Sequence, residues 1–292
     1  MEMPPSPARS RQPGSLSPAA VLVRAHDRDR YHTALFAPAA RREALFALYA
    51  FNYEIARIRE TVTQPMLGRI RLQWWREVIA AACDGSAPRQ HEIATPLTAV
   101  IRDRGLSRAY LDRLIDAREA DLADEPPANL AALEDYAEGS AAMLFYLALE
   151  VLDAAAPVAL AAARELGIAY ALAGLLRAMP FHAGAGRSVI PVEIAVRTGL
   201  DKQDRAARYG SPALRAAVGE LAASAQRHLR NARENGSAMP RGARPVLLSA
   251  VIAGRFLRRL AQAGHDPFAP ALATPDTMQS WRLAAAALVG RW

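Results

Sequence analysis

Residues 27–60 read DRDRYHTALFAPAARREALFALYAFNYEIARIRE. Behind Pro38 the apolar side chains Leu45, Leu48, Tyr49 and Ile55 recur at a spacing that gathers them on a helix, so the segment predicts a long helix buried over much of its surface. The same kind of pattern continues outward in both directions, broken each time by a proline, a glycine or a cluster of turn formers.

Upstream, Ser17-Pro18 supplies a cap and a first helical position for a helix over 18–32. Downstream, Pro65 marks a turn, and 68–83 reads as a helix ending near Asp84-Gly85. Helices over 96–104 and 107–122 follow, the second opening on Ser107 as cap and closed by DEPP at 124–127. Residues 129–153 predict one or two helices, and 157–179 predict another that Pro180 is expected to end. After the loop PFHAGAGRSVIP at 180–191, further helices are expected over 201–235, 244–263 and 276–292. Neither a strand pair nor a fixed-period repeat is present, so the expected fold is all-α, with one helical domain over 19–292. Five prolines among Ser and Arg make 1–18 read as a disordered tail rather than a presequence.

Composition narrows the function. Apolar residues make up 52% of the 292 and charged ones only 22%, which is a globular balance. The net charge of +7 is almost wholly arginine, Lys202 being the sole lysine, and predicts a modest attraction to phosphates or anionic lipid. No nucleic-acid motif accompanies it, so nucleic acid is not an expected partner. Cys83 is alone, which excludes an internal disulfide and a multi-cysteine zinc site. The longest apolar run, 141–152, contains Glu150 and falls short of the roughly 18 residues that a membrane span requires. The expected location is cytoplasmic or peripheral on the inner membrane, and the mitochondrial matrix in a eukaryote.

The order Tyr31, Leu35 to Pro38, Arg41-Arg42-Glu43-Ala44-Leu45 and Leu48-Tyr49-Ala50-Phe51 resembles the opening of the squalene/phytoene synthase family. RLQWWREVI at 71–79 and RSVIP at 187–191 are similar to two further family segments. The resemblance covers about residues 27–260 and implies an isoprenoid-synthase helical bundle around a central apolar cavity. In such enzymes two facing helices present aspartates one turn apart, which hold magnesium against a diphosphate leaving group carrying about three negative charges.

Laid on those patches, this chain departs. The first aspartate-rich motif falls on Ala56, Arg57 and Glu60, leaving one carboxylate of three. The second falls on Arg177-Ala178-Met179-Pro180-Phe181-His182 and retains none. The family's two glycines in its Ala-Gly-x-Val-Gly stretch fall on Ala142 and Phe145, the second of which would fill space where glycine admits close approach. The combination of AFNYEIARIRE at 50–60, RLQWW at 71–75 and LLRAMPFHAGAGRSVIP at 175–191, above all Arg177 to His182, resembles the branch that contains a phytoene-synthase-like mitochondrial complex I assembly factor and its bacterial homologues. It implies no catalytic residues and no cofactor, with a role in complex I assembly or in isoprenoid or lipid binding, complex I subunits or assembly intermediates being possible partners. The alternative is an active prenyltransferase whose magnesium is held by relocated ligands, Glu54, Glu60, Glu119 and Asp121.

For a ligand, the resemblance points to Tyr53, Arg57, Arg177, His182 and Arg187, guanidinium groups standing in for metal. Each has a plainer reading beside it. Arg57 and Arg59 are also spaced to pair with Glu54 and Glu60 on a helix surface. His182 reads as a loop or capping histidine, Glu119 and Asp121 as a solvated helix end, and Trp74 and Trp75 as core and margin. Arg227, His228 and Arg230, with Arg255, Arg258 and Arg259, read as a basic stripe, and GRFLRRLAQ at 254–262 is amphipathic enough to lie on a bilayer.

Overall fold

The computed structural model of the protein describes residues 16–123, 125–201, 210–235, 239–290 and 292. Among these there is no strand. The first half holds α1 (Pro18–His26), α2 (Arg28–Ala34), α3 (Ala39–Ala56), α4 (Ile58–Thr61), α5 (Pro65–Cys83), α6 (Ala94–Arg104) and α7 (Arg108–Glu119). The second holds α8 (Leu130–Ala137), α9 (Met143–Val151), α10 (Pro157–Gly184), α11 (Val192–Thr198), α12 (Pro212–Asn235), α13 (Arg244–Leu247), α14 (Ser249–Gln262), α15 (Pro270–Ala273) and α16 (Gln279–Val289).

The expected long helix is α3, and its interior is buried nearly all round: Leu45, Leu48, Tyr49, Phe51 and Ile55 are each at most 2% exposed. The expected helix over 18–32 is two helices. Asp27 leaves helical geometry, and its carboxylate accepts from the Arg30 amide at 3.1 Å to start α2. Ser17 caps α1 by accepting from the Ala20 amide at 3.0 Å, so the chain is already folded at residues 17 and 18. The rest of the segment read as a tail, residues 1–15, lies outside the described residues, as do 202–209 of the helix expected over 201–235.

The axis of the bundle is α10, which packs along α12 and against α8, α9 and α14. By length and composition this 28-residue helix could cross a membrane, although Arg164, Glu165 and Arg177 interrupt its apolar run. More than half of its most apolar window, 56%, is buried inside the fold, as suits a central helix.

Two turn signals worked differently from expectation. Pro180 does not end α10, which continues to Gly184. Proline removes one amide and crowds the carbonyl four residues back, and so close to the end of a helix that loss is confined to the last turns. The stop comes from Gly186 at φ +71°, whose amide reaches the Ala183 carbonyl at 3.0 Å while the Arg187 amide reaches that of His182 at 2.9 Å. This is a glycine-terminated Schellman closure, and it fixes where Arg187 leaves the helix. Ser107 makes no side-chain cap; its amide instead donates to Glu150 Oε2 at 3.0 Å.

Between α8 and α9 the helix widens into a π segment, Glu138–Ala142. Here a close approach expected of glycine is supplied from the other side. A Cβ added to Gly167 of α10 would lie 2.4 Å from the Ala142 Cα, so α10 carries the glycine and residue 142 does not need to. Phe145, at the other substituted position, is 1% exposed and packs on Tyr170 at 5.7 Å, filling space as expected.

Candidate functional site

A cavity of about 490 Å³ opens between the end of α3, α4, the end of α7, α8 and the last turns of α10. Ala56, Glu60, Ala178, Phe181 and His182 all line it, so five positions of the two degenerate motifs face one space. Its apolar wall comes from Leu133, Leu175, Ala178 and Val189, and its charged rim from Arg59, Glu60, Arg118, Asp121, Glu125 and Arg187.

One side of the rim is a closed network. Arg118 of α7 donates to Asp121 Oδ2 at 3.2 Å and to the Tyr136 hydroxyl at 2.8 Å, and Tyr136 donates in turn to Asp121 Oδ1 at 2.8 Å. The Arg118 and Asp121 side chains are 14% and 23% exposed, so both charges are largely withdrawn from water. Burial opposes the Arg118 charge, but Tyr136 and the Asp121 carboxylate hold its pKa above the ordinary value. Burial also pushes the Tyr136 hydroxyl well up, Arg118 working against it, so Tyr136 stays a neutral donor. Arg187 closes the edge by donating to the Asp121 carbonyl at 2.9 Å.

His182 lies inside the last turn of α10 rather than in a loop. Burial, with Arg187 adding to it and Asp121 opposing, holds its pKa below the usual histidine value. The ring therefore presents a neutral imidazole to the cavity near pH 7.

The other ligand candidates lie elsewhere. Arg57 faces a separate 240 Å³ pocket with Glu54, Trp74, Trp75 and His91. It pairs with Glu54 at 3.6 Å and sits over the Tyr53 ring at 5.4 Å, which is the helix-surface pairing expected of its spacing. Tyr53 also stacks on His26 at 4.6 Å. Arg177 donates to Asp29 at 2.7 Å. Of the five residues the resemblance pointed to, only His182 and Arg187 share the cavity.

The relocated carboxylates do not converge either. Glu54 belongs to the neighbouring pocket and Glu119 accepts from Arg76 at 2.8 Å, leaving Glu60 and Asp121 at the cavity. Among the described residues no group of three or more His, Cys, Asp or Glu side chains is placed to hold a metal ion. Magnesium of this family's kind needs several hard oxygen ligands, and Asp121 is already committed to Arg118 and Tyr136; the donor set among the described residues does not fit it.

Arg118 and Tyr136 are the site residues that sequence reasoning missed. Arg118 directly precedes the noted acids Glu119 and Asp121 in DAREADL, three residues before Asp121, and that i,i+3 spacing was the available signal.

A sequence model of squalene/phytoene synthase matches residues 23–284. The chain belongs to the squalene/phytoene synthase family. It is 32% identical over 268 residues to a Bos taurus protein named NADH dehydrogenase (ubiquinone) complex I, assembly factor 6, covering 89% of this chain and 80% of that one. It is 27% identical over 227 residues to a presqualene diphosphate synthase of Rhodopseudomonas palustris, covering 77% and 79%. In structure it is similar to a dehydrosqualene synthase crystallised with a ligand, with a TM-score of 0.81 at 16% identity over 93% of this chain and 94% of that one. That likeness carries the all-α isoprenoid-synthase fold, which the family motifs had implied.

The basic stripe read on α12 and α14 is not continuous. His228 is 8% exposed, with Nδ1 2.8 Å from Glu165, and Arg227 pairs with Glu134 at 2.9 Å. On α14, Phe256, Leu257 and Leu260 are buried, so the apolar face expected to lie on a bilayer is packed into the core. Amphipathicity alone does not distinguish a membrane-facing helix from a core-facing one.

Proposed function

We propose that this chain is a non-catalytic member of the family that acts in the assembly of respiratory complex I and keeps its cavity as a binding site for a weakly charged isoprenoid or lipid. The observation that carries this reading is the cavity wall itself. Where the family's synthases present two carboxylate patches, the chain turns Ala56, Ala178, Phe181 and His182 inward and keeps only Glu60 of the motif acids there, while the neighbouring Asp121 is neutralised by Arg118.

Charge decides the kind of ligand. The described rim residues Arg59, Arg118 and Arg187 are balanced by Glu60, Asp121 and Glu125, and His182 is neutral. A diphosphate with about three negative charges would enter such a site without compensation and would lose its hydration, a cost of several kcal/mol per buried charge. An isoprenoid or lipid with an uncharged or singly charged head avoids that cost and still uses the apolar wall.

The similarity to complex I assembly factors over 89% of the chain supports the assembly role, and a place at the membrane face where that complex is built would suit it. Deleting the gene in its host is expected to reduce NADH-driven respiration several-fold, and to leave respiration from succinate unchanged. The wild-type gene should restore it. Unaltered complex I activity in the deletion strain would overturn the assembly role.

A further inference from the structure

The final helix, α16, has two apolar sides. Leu283 points inward and is fully buried. On the opposite side Met278, just ahead of the helix, is 50% exposed, Trp281 71%, Leu288 87% and Val289 67%. Together with exposed Ala285 they occupy an arc of roughly 100° around the helix axis, in the spacing of a single continuous stripe. A stripe of large apolar side chains held out from a packed protein marks a contact surface.

The charge around it selects the partner. Residues 236–292 contain seven arginines and two aspartates, a net +5 of the chain's +7. Both aspartates are already engaged, Asp266 by Arg215 at 3.0 Å and Asp276 by Arg282 and Arg255. Arg233 and Arg244 brace the end of α16 by donating to the carbonyls of Trp292 at 2.9 Å and Ala287 at 3.5 Å. Arg258 is exposed beside Arg233, the two side chains lying 3.7 and 3.5 Å from a Cβ placed on Gly254. Neither Arg244 nor Arg258 pairs with an Asp or Glu side chain among the described residues, and Arg233 meets only the main-chain oxygen of Trp292. A tryptophan with aliphatic neighbours, framed by uncompensated guanidinium groups, matches a phospholipid interface in which headgroups are anionic and the boundary is half apolar.

We infer that the outward face of α16 docks the protein on an anionic lipid surface, Trp281, Leu288 and Val289 entering the interface and Arg233, Arg244 and Arg258 meeting the headgroups. The helix lies in the membrane plane, held to the bundle by Leu283, and the buried α14 takes no part. This inference is independent of the ligand and assembly reading above.

The test uses the full chain with vesicles of phosphatidylcholine alone and of phosphatidylcholine mixed with phosphatidylglycerol. The protein should sediment with the mixed vesicles and not with the neutral ones, more weakly as salt rises. The triple variant Trp281→Ser, Leu288→Ser, Val289→Ser should lose about tenfold or more in vesicle partitioning. Its circular dichroism should be unchanged, because the three side chains are exposed. Arg258→Gln, which removes one headgroup contact, should lose about fivefold. No binding of the wild type to the mixed vesicles, or equal binding by the triple variant, would overturn the inference. So would a concentration-dependent dimer abolished by the triple variant, which would give this face to a second copy of the chain.

Discussion

Asp121→Ala is expected to cost about 3 kcal/mol of folding stability or more, read as a fall in the midpoint of urea unfolding. The side chain touches two partners, and removing it leaves the Arg118 guanidinium with its charge uncompensated in a site where it is 14% exposed. Breaking one half of a buried pair costs far more than the pair itself contributes, because the surviving charge keeps its desolvation penalty. Arg118→Met in the same background should recover a large part of the loss, since it removes the stranded charge while keeping an unbranched side chain. That double-variant cycle separates a charge effect from simple loss of packing. An Asp121→Ala protein that unfolds at the wild-type urea concentration would contradict the network.

Phe145→Gly is expected to be the most damaging single change, at about 4 kcal/mol for the cavity and about 1 kcal/mol more for glycine in a helix. The ring is 1% exposed and packs on Tyr170, so its removal opens a cavity in the core. Phe145→Leu, which keeps most of the volume, should cost about 1.5 kcal/mol or less. Calorimetric melting of the two variants provides the comparison. The result bears on history as well as stability: the space that glycine leaves open in the enzymes is here part of the core, so restoring one motif residue at a time would unfold the protein before it restored chemistry.

The fold was legible because its signals are local. Leu45, Leu48, Tyr49 and Ile55 announce a buried helix by spacing alone, and the loss of carboxylates at Ala56 and Ala178 needs no coordinates to see. What stayed hidden depends on partners far along the chain. Ser107 has the chemistry of a cap, but its amide is claimed by Glu150, 43 residues away. His228 sits in a basic run yet is buried against Glu165, 63 residues back. Arg57 and Arg177 looked like ligand residues because the family motifs pass through them; helix rotation turns the first toward Trp74 and an ion pair takes the second to Asp29. Pro180 misled for a different reason. A proline's penalty depends on how many turns follow it, and the stop signal that mattered was Gly186.

The most direct test of the central claim, that the fold was kept while metal-dependent ionisation was given up, is diphosphate release from farnesyl diphosphate by the purified protein in the presence of magnesium. Release should stay at the level of buffer with magnesium alone, at every protein concentration. Release that rises with protein, saturates with substrate and disappears on chelation of the metal would contradict it.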